Sequence, residues 1–526
     1  MKVLVAEPLA EGAINLLRQA EGCEVIVSNP KDYEQHLGDC EALVVRSAVK
    51  VNKAVLAKAP RLRVIGRAGV GVDNVDMDAA TAAGVLVMNT PGGNAVSVAE
   101  HTLAFMLSLA RSIPQASAST KSGKWEKKKF LGNELRGKTL GIIGLGAIGR
   151  EVVRRARVFE MRIVGHDPYV SPQIAVDLGV ELADLDTLYA QADFLSMHVG
   201  VTPETRGMIN AGAIAKMKQG VRIVNCARGE LIDQAALLEA LESGKVAGAA
   251  LDVFEKEPPA EGDPVLSSPN LLATPHIGGS TEEAQEIVGI RIVQQLVEYL
   301  TNGVAINAVN MPSLSPEQYK AIGPWLEVAE RLGIFASYLP TDNPIGLKIA
   351  YRGRLADLNT QLLRNAAVAG VLNRSLQQKA NVVNAWSIAK ERGLAVTESH
   401  ERGALDSVRV EISTARGSVG VEGSIVLGKP RLMLVDSIPL EASLTGHLTV
   451  MKNRDVPGVI GHVGSVLGAH GINIANFSLG RSEAPDQDGV IAISVVETDD
   501  PVPESVLAEF KKHAAVMSAR VVELPN

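Results

Sequence analysis

The run Thr139-Leu140-Gly141-Ile142-Ile143-Gly144-Leu145-Gly146-Ala147-Ile148-Gly149 decides how this chain is read. A mostly apolar strand leads into spaced glycines, and a helical stretch, Arg150 to Phe159, follows. In a strand–turn–helix phosphate cradle each glycine has a task. Gly144 permits the tight turn, Gly146 lets a pyrophosphate approach the backbone, and Gly149 lets helix pack against strand. The helix start at Ala147 and Ile148 offers N–H groups and the positive end of a dipole. Asp167 ends the next strand, eighteen positions beyond Gly149. A carboxylate there accepts hydrogen bonds from a ribose diol and repels a 2′-phosphate, so the expected cofactor is NAD rather than NADP.

The same strand–helix rhythm extends both ways from this run. Upstream, short apolar runs (3–6, 25–27, 42–45, 64–65 and 85–88) alternate with helical stretches such as 11–20 and 53–59. Downstream, strands are expected at 162–165, 194–197, 222–225, 247–251 and 271–274. Continuous apolar strands alternating with helices mean parallel sheets covered on both faces. Long helices are expected at 97–113 and 281–301, the second returning the chain to the first sheet. After Pro312 and Pro316 the pattern changes. Residues 320–400 read as helical with one strand, 345–351, and 405–443 as mostly β. The last stretch reads strand, helix, strand, strand, helix, strand (447–452, 457–470, 472–480, 489–497, 503–514 and 517–523), a ferredoxin-like module. The fold class is α/β: two doubly wound parallel-sheet domains, then an α+β domain and the ferredoxin-like domain.

Composition narrows the function. The 526 residues are 46% hydrophobic and 21% charged, which supplies several cores. A net charge of −7 argues against nucleic acid as the main partner. Cys23, Cys40 and Cys226 are too few and too scattered for a disulfide framework or a zinc site. No metal is expected, and a reducing, cytoplasmic setting fits. The N-terminus reads as a strand rather than a signal peptide. The longest uncharged run, 456–480, holds six glycines and is no membrane span.

Three polar residues lie past strands, where an open α/β sheet binds ligands. They are Arg228 in Asn225-Cys226-Ala227-Arg228-Gly229, Glu257 before Pro258, and His276 in Thr274-Pro275-His276-Ile277-Gly278-Gly279. Hydride transfer at a 2-hydroxy acid needs a base for the hydroxyl proton, a cation for the carboxylate and a group that tunes the base. Taken singly, each also reads as an ordinary loop residue, and periodicity alone does not bring them together.

The glycine run, with residues 225–229, Ala249-Ala250-Leu251-Asp252-Val253-Phe254 and Pro275-His276-Ile277-Gly278, resembles the D-isomer-specific 2-hydroxyacid dehydrogenases. That resemblance implies Arg228, Glu257 and His276 as the catalytic set. It also implies cofactor contacts by Cys226, Ala227, Arg228, Asp252, His276, Gly278 and Gly279, with Thr90 beside them. Segments 45–48, 66–76, 88–94 and 123–126 resemble one long branch of the family, and the similarity covers essentially the whole chain. That branch oxidises 3-phosphoglycerate to 3-phosphohydroxypyruvate at the entry to L-serine biosynthesis. The implied division is a substrate domain (1–97 with 284–310), an NAD-binding domain (98–283), an intervening anion-binding domain (311–443) and an ACT regulatory domain (444–526).

Physical chemistry agrees with a phosphorylated substrate. Arg46 and Arg67 sit at strand ends, and guanidinium groups grip phosphate or carboxylate through paired bonds. Gly69-Val70-Gly71 can present backbone N–H groups to the carboxylate, and Ser47 and Asn94 complete the expected substrate set. Lys127-Lys128-Lys129 reads either as extra charge across a dimer contact or as a solvated turn. Cys226 reads as a small residue of the nicotinamide loop, His198 as structural, and Tyr351-Arg352-Gly353-Arg354 as a candidate anion patch. For the last domain the resemblance implies an L-serine effector at Asn453, Asp455 and Asn473 between paired domains of a homodimer or homotetramer. The same residues also make ordinary turns. Rival readings are a dehydrogenase for another hydroxy acid (glycerate, lactate or 2-hydroxyglutarate) and an NAD-sensing binding protein of the same fold. The two arginines favour phosphate, and two folded C-terminal domains stand where a corepressor would carry a disordered tail.

Overall fold

The computed structural model describes residues 1–376, 379–483 and 489–525. The first sheet has five strands, in spatial order Glu24–Val27, Lys2–Val5, Ala42–Val45, Val64–Arg67 and Leu86–Met88, all parallel. Strands Ala42–Val45 and Leu86–Met88 are fully buried, as continuous apolar runs require. The second sheet has seven parallel strands: Leu271–Ala273, Val246–Leu251, Val221–Asn225, Phe194–Met197, Thr139–Ile143, Arg162–His166 and Glu181–Leu182. From Thr139–Ile143 the chain first builds outward to one side, then crosses to the other at Phe194–Met197. That reversal opens a crevice at the end of Thr139–Ile143, where the glycine run sits.

Two helices join the sheets. Helix Ala95–Arg111 leads across and packs Leu103, Phe105 and Met106 into the core of the second sheet. It stops at Ser112, whose φ of 47° breaks the expected 97–113 helix, and a separate helix runs Ile113–Lys121. Helix Glu282–Asn302 returns. Its Thr281 hydroxyl caps the Ala284 N–H, and Val288, Ile292, Val293 and Leu296 pack on the first sheet. A Cβ at Gly66 would lie 2.8 Å from Ile292 and Leu296, so the absent side chain sets how closely this helix approaches.

The rest of the chain forms a six-stranded mixed sheet and a four-stranded antiparallel one. The six-stranded sheet contains an edge strand, Ala395–Glu401, where sequence reading placed helix. Its alternating polar residues lie half exposed at the sheet edge, so no apolar run marks it. Helices Pro316–Tyr338, Gln361–Leu372 and Ala385–Glu391 cover this region. The four-stranded sheet (order Ile474–Arg481, Ile491–Thr498, Gly446–Arg454, Val516–Leu524) has the expected ferredoxin-like topology. One of its faces does not stand alone: Leu448, Val450, Ile493, Val495, Val522 and Leu524 share a core with Leu332 and Phe335 of helix Pro316–Tyr338. No helix among the described residues is long and apolar enough to cross a membrane.

Candidate active site

The glycine run is built as its spacing requires. Gly144 has φ 94°, and a Cβ there would lie 2.5 Å from the His198 carbonyl oxygen. A Cβ at Gly149 would meet the Gly144 carbonyl at 2.0 Å, so helix and turn touch directly. At Gly146 nothing lies within 4 Å of that position, and no side chain caps helix Ala147–Val158. An open approach to an uncapped helix start suits a pyrophosphate. Asp167 is tied to the same turn: its carboxylate accepts the Leu145 N–H and the Tyr169 N–H, both at 2.8 Å.

His276 and Glu257 meet. Nδ1 of His276 lies 2.7 Å from Glu257 Oε2, and Glu257 Oε1 accepts the Phe254 N–H at 3.1 Å. The hydrogen bond to Glu257 raises the imidazole pKa above its ordinary value, against the opposing effect of burial. Burial pushes the Glu257 carboxyl up, but the bonds from His276 and Phe254 outweigh it and hold it below the usual range. The dyad borders a cavity of about 400 Å³ walled by Phe254, Pro259, Leu266 and Pro275. The loop under His276 is pinned by Asp252, which is 1% exposed and accepts the Thr274 hydroxyl (2.5 Å) and the N–H groups of Ile277 (2.8 Å) and Gly278 (2.7 Å). His101 adds a contact to Thr274 at 3.1 Å.

Arg228 spans the two sheets. One guanidinium nitrogen donates to Asp73 at 2.8 Å and the other to its neighbour's carbonyl on Ala227. A Cβ at Gly71 would fall 2.1 Å from Arg228, and one at Gly69 would fall 1.5 Å from Arg67. The Gly69–Gly71 backbone therefore lies directly against both guanidinium groups. Arg67 is half-buried, and its buried Nε has no hydrogen-bond partner among the described residues. Burial, then the Arg228 cation beside it, depresses its pKa. Two crowded cations with an unused donor suit an anionic substrate. Thr90 donates its N–H to Gly69 O at 2.9 Å, while Thr90 Oγ1 and Asn94 Oδ1 are buried without partners among the described residues. A Cβ at Gly279 would lie 2.8 Å from Asn94 Nδ2. Val70 O accepts from Asn89 at 2.6 Å. Arg46 donates to Pro8 O at 3.1 Å from the same side of the cleft, and Ser47 beside it is exposed.

Other expected residues separate cleanly. Cys226 and Ala227 are buried, and burial lifts the Cys226 thiol to about 12, which removes it as a nucleophile. His198 is half-buried with a buried Nδ1, desolvation pushes it down to about 4, and its Nε2 bonds Ser196 at 2.9 Å, which fits a structural histidine. Lys127, Lys128 and Lys129 are exposed on a short turn. At the candidate anion patch, 351–354, both arginines are already paired. Tyr351 is core and bonds Glu398, Arg352 pairs with Glu401 and Glu422, and Arg354 pairs with Asp406, so each cation already holds a carboxylate. In the last domain Asn453 and Asp455 line a cavity of about 360 Å³ with Arg481, which pairs with Asp455 at 3.2 Å. Asn473 is not in it. It precedes strand Ile474–Arg481, whose far end is Arg481, and bonds Asp499 at 2.8 Å. A single chain does not bring the three effector residues together.

Sequence reading missed Glu7, Asp73, Asn74 and His101, which touch this site through residues distant in sequence.

Comparison with known proteins gives three family matches: the D-isomer specific 2-hydroxyacid dehydrogenase NAD-binding domain over 103–278, the D-3-phosphoglycerate dehydrogenase intervening domain over 321–436, and the ACT domain over 447–515. The chain is 43% identical to D-3-phosphoglycerate dehydrogenase of Archaeoglobus fulgidus, with all of both chains covered. It is 38% identical to the enzyme of that name from Bacillus subtilis, again over the full length of both. Among solved structures, the TT0316 protein of Thermus thermophilus is 36% identical with a TM-score of 0.54, covering 59% of this chain and 100% of its own. The apo D-lactate dehydrogenase of Escherichia coli is 31% identical with a TM-score of 0.53 over 59% of this chain and 100% of its own.

Proposed function

Because this chain belongs to the D-3-phosphoglycerate dehydrogenase family, its reaction is the NAD-dependent oxidation of 3-phosphoglycerate to 3-phosphohydroxypyruvate in serine biosynthesis, and we propose how its residues divide the work. The His276–Glu257 pair at 2.7 Å carries the proposal. His276 takes the C2 hydroxyl proton. Glu257 orients the ring through Nδ1, leaving Nε2 to face the substrate, and stabilises the imidazolium that forms. Arg228 binds the substrate carboxylate and polarises the carbonyl in the reverse direction. Arg46 and Arg67, with Ser47, Asn94 and the N–H groups of Gly69, Val70 and Gly71, hold the carboxylate and phosphate.

NAD, when bound, supplies the hydride acceptor. Gly144, Gly146, Ala147, Ile148 and Gly149 would cradle its phosphates, and Asp167 its adenosine ribose. Thr90, Cys226, Ala227, Arg228, Asp252, His276, Gly278 and Gly279 would border the nicotinamide. The open approach over Gly146 supports this assignment. His276→Ala should lower turnover with 3-phosphoglycerate and NAD by about 10²–10⁴-fold while NADH still binds. Near-normal turnover in that variant would remove His276 from the chemistry.

The regulatory reading is that L-serine binds the last domain of an oligomeric, cytoplasmic enzyme. The amide of Asn453 and the charges of Asp455 and Arg481 in the cavity suit an amino acid's charged ends, and Val456 and Ile460 in its lining expose 43% and 53% of their surface, as a docking face for a second copy would. Asn473 would then complete the site from the paired domain. Initial rates of the full-length enzyme with millimolar L-serine test this: inhibition that weakens in both Asn453→Ala and Asn473→Ala is expected. Serine without effect on either binding or rate would sink it.

A further inference from the structure

Glu7 follows the first strand and is 5% exposed. Its carboxylate spends itself on backbone: Oε1 accepts the N–H groups of Arg46 and Val49, both at 2.8 Å, and Oε2 accepts that of Ala48 at 3.1 Å. The carbonyl side of the same loop is held from the opposite direction. Asn74 Nδ2 donates to Arg46 O at 2.8 Å and to Val49 O at 2.7 Å. Asn74 is itself anchored, since its carbonyl accepts the Val51 N–H at 2.8 Å. It belongs to the stretch that also supplies Gly69, Gly71 and Asp73, the Arg228 partner.

One frame therefore reaches all three guanidinium groups proposed to face the substrate. Burying a carboxylate is costly, and a neutral side chain could close a loop. What the charge adds is a fixed anion beside crowded cations: burial, then the Arg228 and Arg46 cations, depresses Arg67, and Asp73 and Glu7 oppose them. Three N–H groups converging on one carboxylate and two carbonyls converging on one amide leave the loop no alternative shape without an unpaired buried group.

We propose that Glu7 and Asn74 are positioning residues that set the Arg46–Val49 loop, and with it Arg46, for the phosphorylated substrate. This rests on the proposed role of Arg46 in binding that substrate. The test is steady-state kinetics of the full-length enzyme at saturating NAD, on Glu7→Gln, Asn74→Asp, Arg46→Ala and the two double variants that combine Arg46→Ala with each. Gln and Asp keep the size of the side chains they replace, but Gln puts a donating NH2 where one carboxylate oxygen accepted, and Asp puts an accepting oxygen where the Asn74 amide donated. Each single positioning variant should raise KM for 3-phosphoglycerate by about tenfold while kcat changes far less. In the Arg46→Ala background either should raise KM much less than in the parent, because the chief residue they place is gone and only Ser47 remains on the loop. Unchanged KM in both positioning variants, a loss confined to kcat, or a full further rise in the Arg46→Ala background would each overturn the proposal. If Glu7→Gln does not fold, Asn74→Asp decides on the same criteria. Unchanged KM in Arg46→Ala alone is a different result: it would overturn the reading of Arg46 on which the proposal stands.

Discussion

At the scale of single residues the site is an arrangement of charges, and its pH behaviour follows from one contact. The imidazole of His276 is raised above its ordinary value chiefly by the Glu257 hydrogen bond. Oxidation needs the neutral ring as base, and reduction needs the imidazolium as acid. The free-enzyme rate of oxidation should therefore rise as pH climbs through that raised pKa, and the rate of reduction should fall. Glu257→Gln removes the carboxylate charge, so the His276 pKa drops and the acidic limb of kcat/KM for oxidation moves to lower pH. A pH profile of the variant measures this; a midpoint that stays put would mean that Glu257 does not tune the base. The residues that sequence reading named, His276, Arg228 and Glu257, were marked by their type past strand ends and by the family resemblance. Glu7 and Asn74 were not. Their roles lie in bonds to loops 39 and 25 positions away, and no local pattern encodes them.

At the scale of elements, legibility follows burial. Parallel strands covered on both faces read as continuous apolar runs, and every such strand of the first two sheets was visible in the sequence. Edge strand Ala395–Glu401 is half exposed and was not. The strand–turn–helix at Thr139–Val158 was legible because its parts are contiguous, and its glycines now separate into two kinds. Gly149 serves packing: a Cβ would meet backbone at 2.0 Å. Gly146 serves no contact within the protein, since its Cβ position is open. Gly149→Ala should thus lower thermal stability, because a rigid carbonyl must move. Gly146→Ala should fold like the parent yet bind NADH about tenfold or more weakly, having lost close backbone approach to the phosphates. Paired melting curves and fluorescence titrations distinguish the two. A stability loss at Gly146 with unchanged NADH affinity would reverse the assignment.

At the scale of the whole molecule, the boundaries drawn from sequence meet a core that ignores one of them. The break at 310–311 separates cores, with Val382 and Val383 reaching across to the first sheet and Asn381 donating to Gly84 O at 2.8 Å. The break at 443–444 divides a single core. Leu448, Val450, Val522 and Leu524 lie against the apolar side chains of helix Pro316–Tyr338, Arg331 donates to Leu444 O at 2.8 Å, and Arg520 donates to Tyr338 O at 3.0 Å. An effector held at Asn453 and Asp455 would therefore pull on a sheet continuous in packing with the intervening region, which in turn touches the first domain at Gly84. Stability should show the same division. Burying a side chain of Leu or Val size contributes about 1.5–3 kcal/mol. Removing Leu448, Val450, Ile493, Val495, Val522 and Leu524 together from a region whose total stability is on the order of 5–15 kcal/mol should unfold it. A chain ending at 443 is expected to bind a hydrophobic dye strongly and to show an early unfolding transition absent from the full-length protein. A chain ending at 310 should melt in one transition and still bind NADH, since the cores of its two sheets lie within it but for the packing of Met311, Val382 and Val383. If the chain ending at 443 melts like the full-length protein, the last sheet is an appended module, and effector binding there would need another route to the active site.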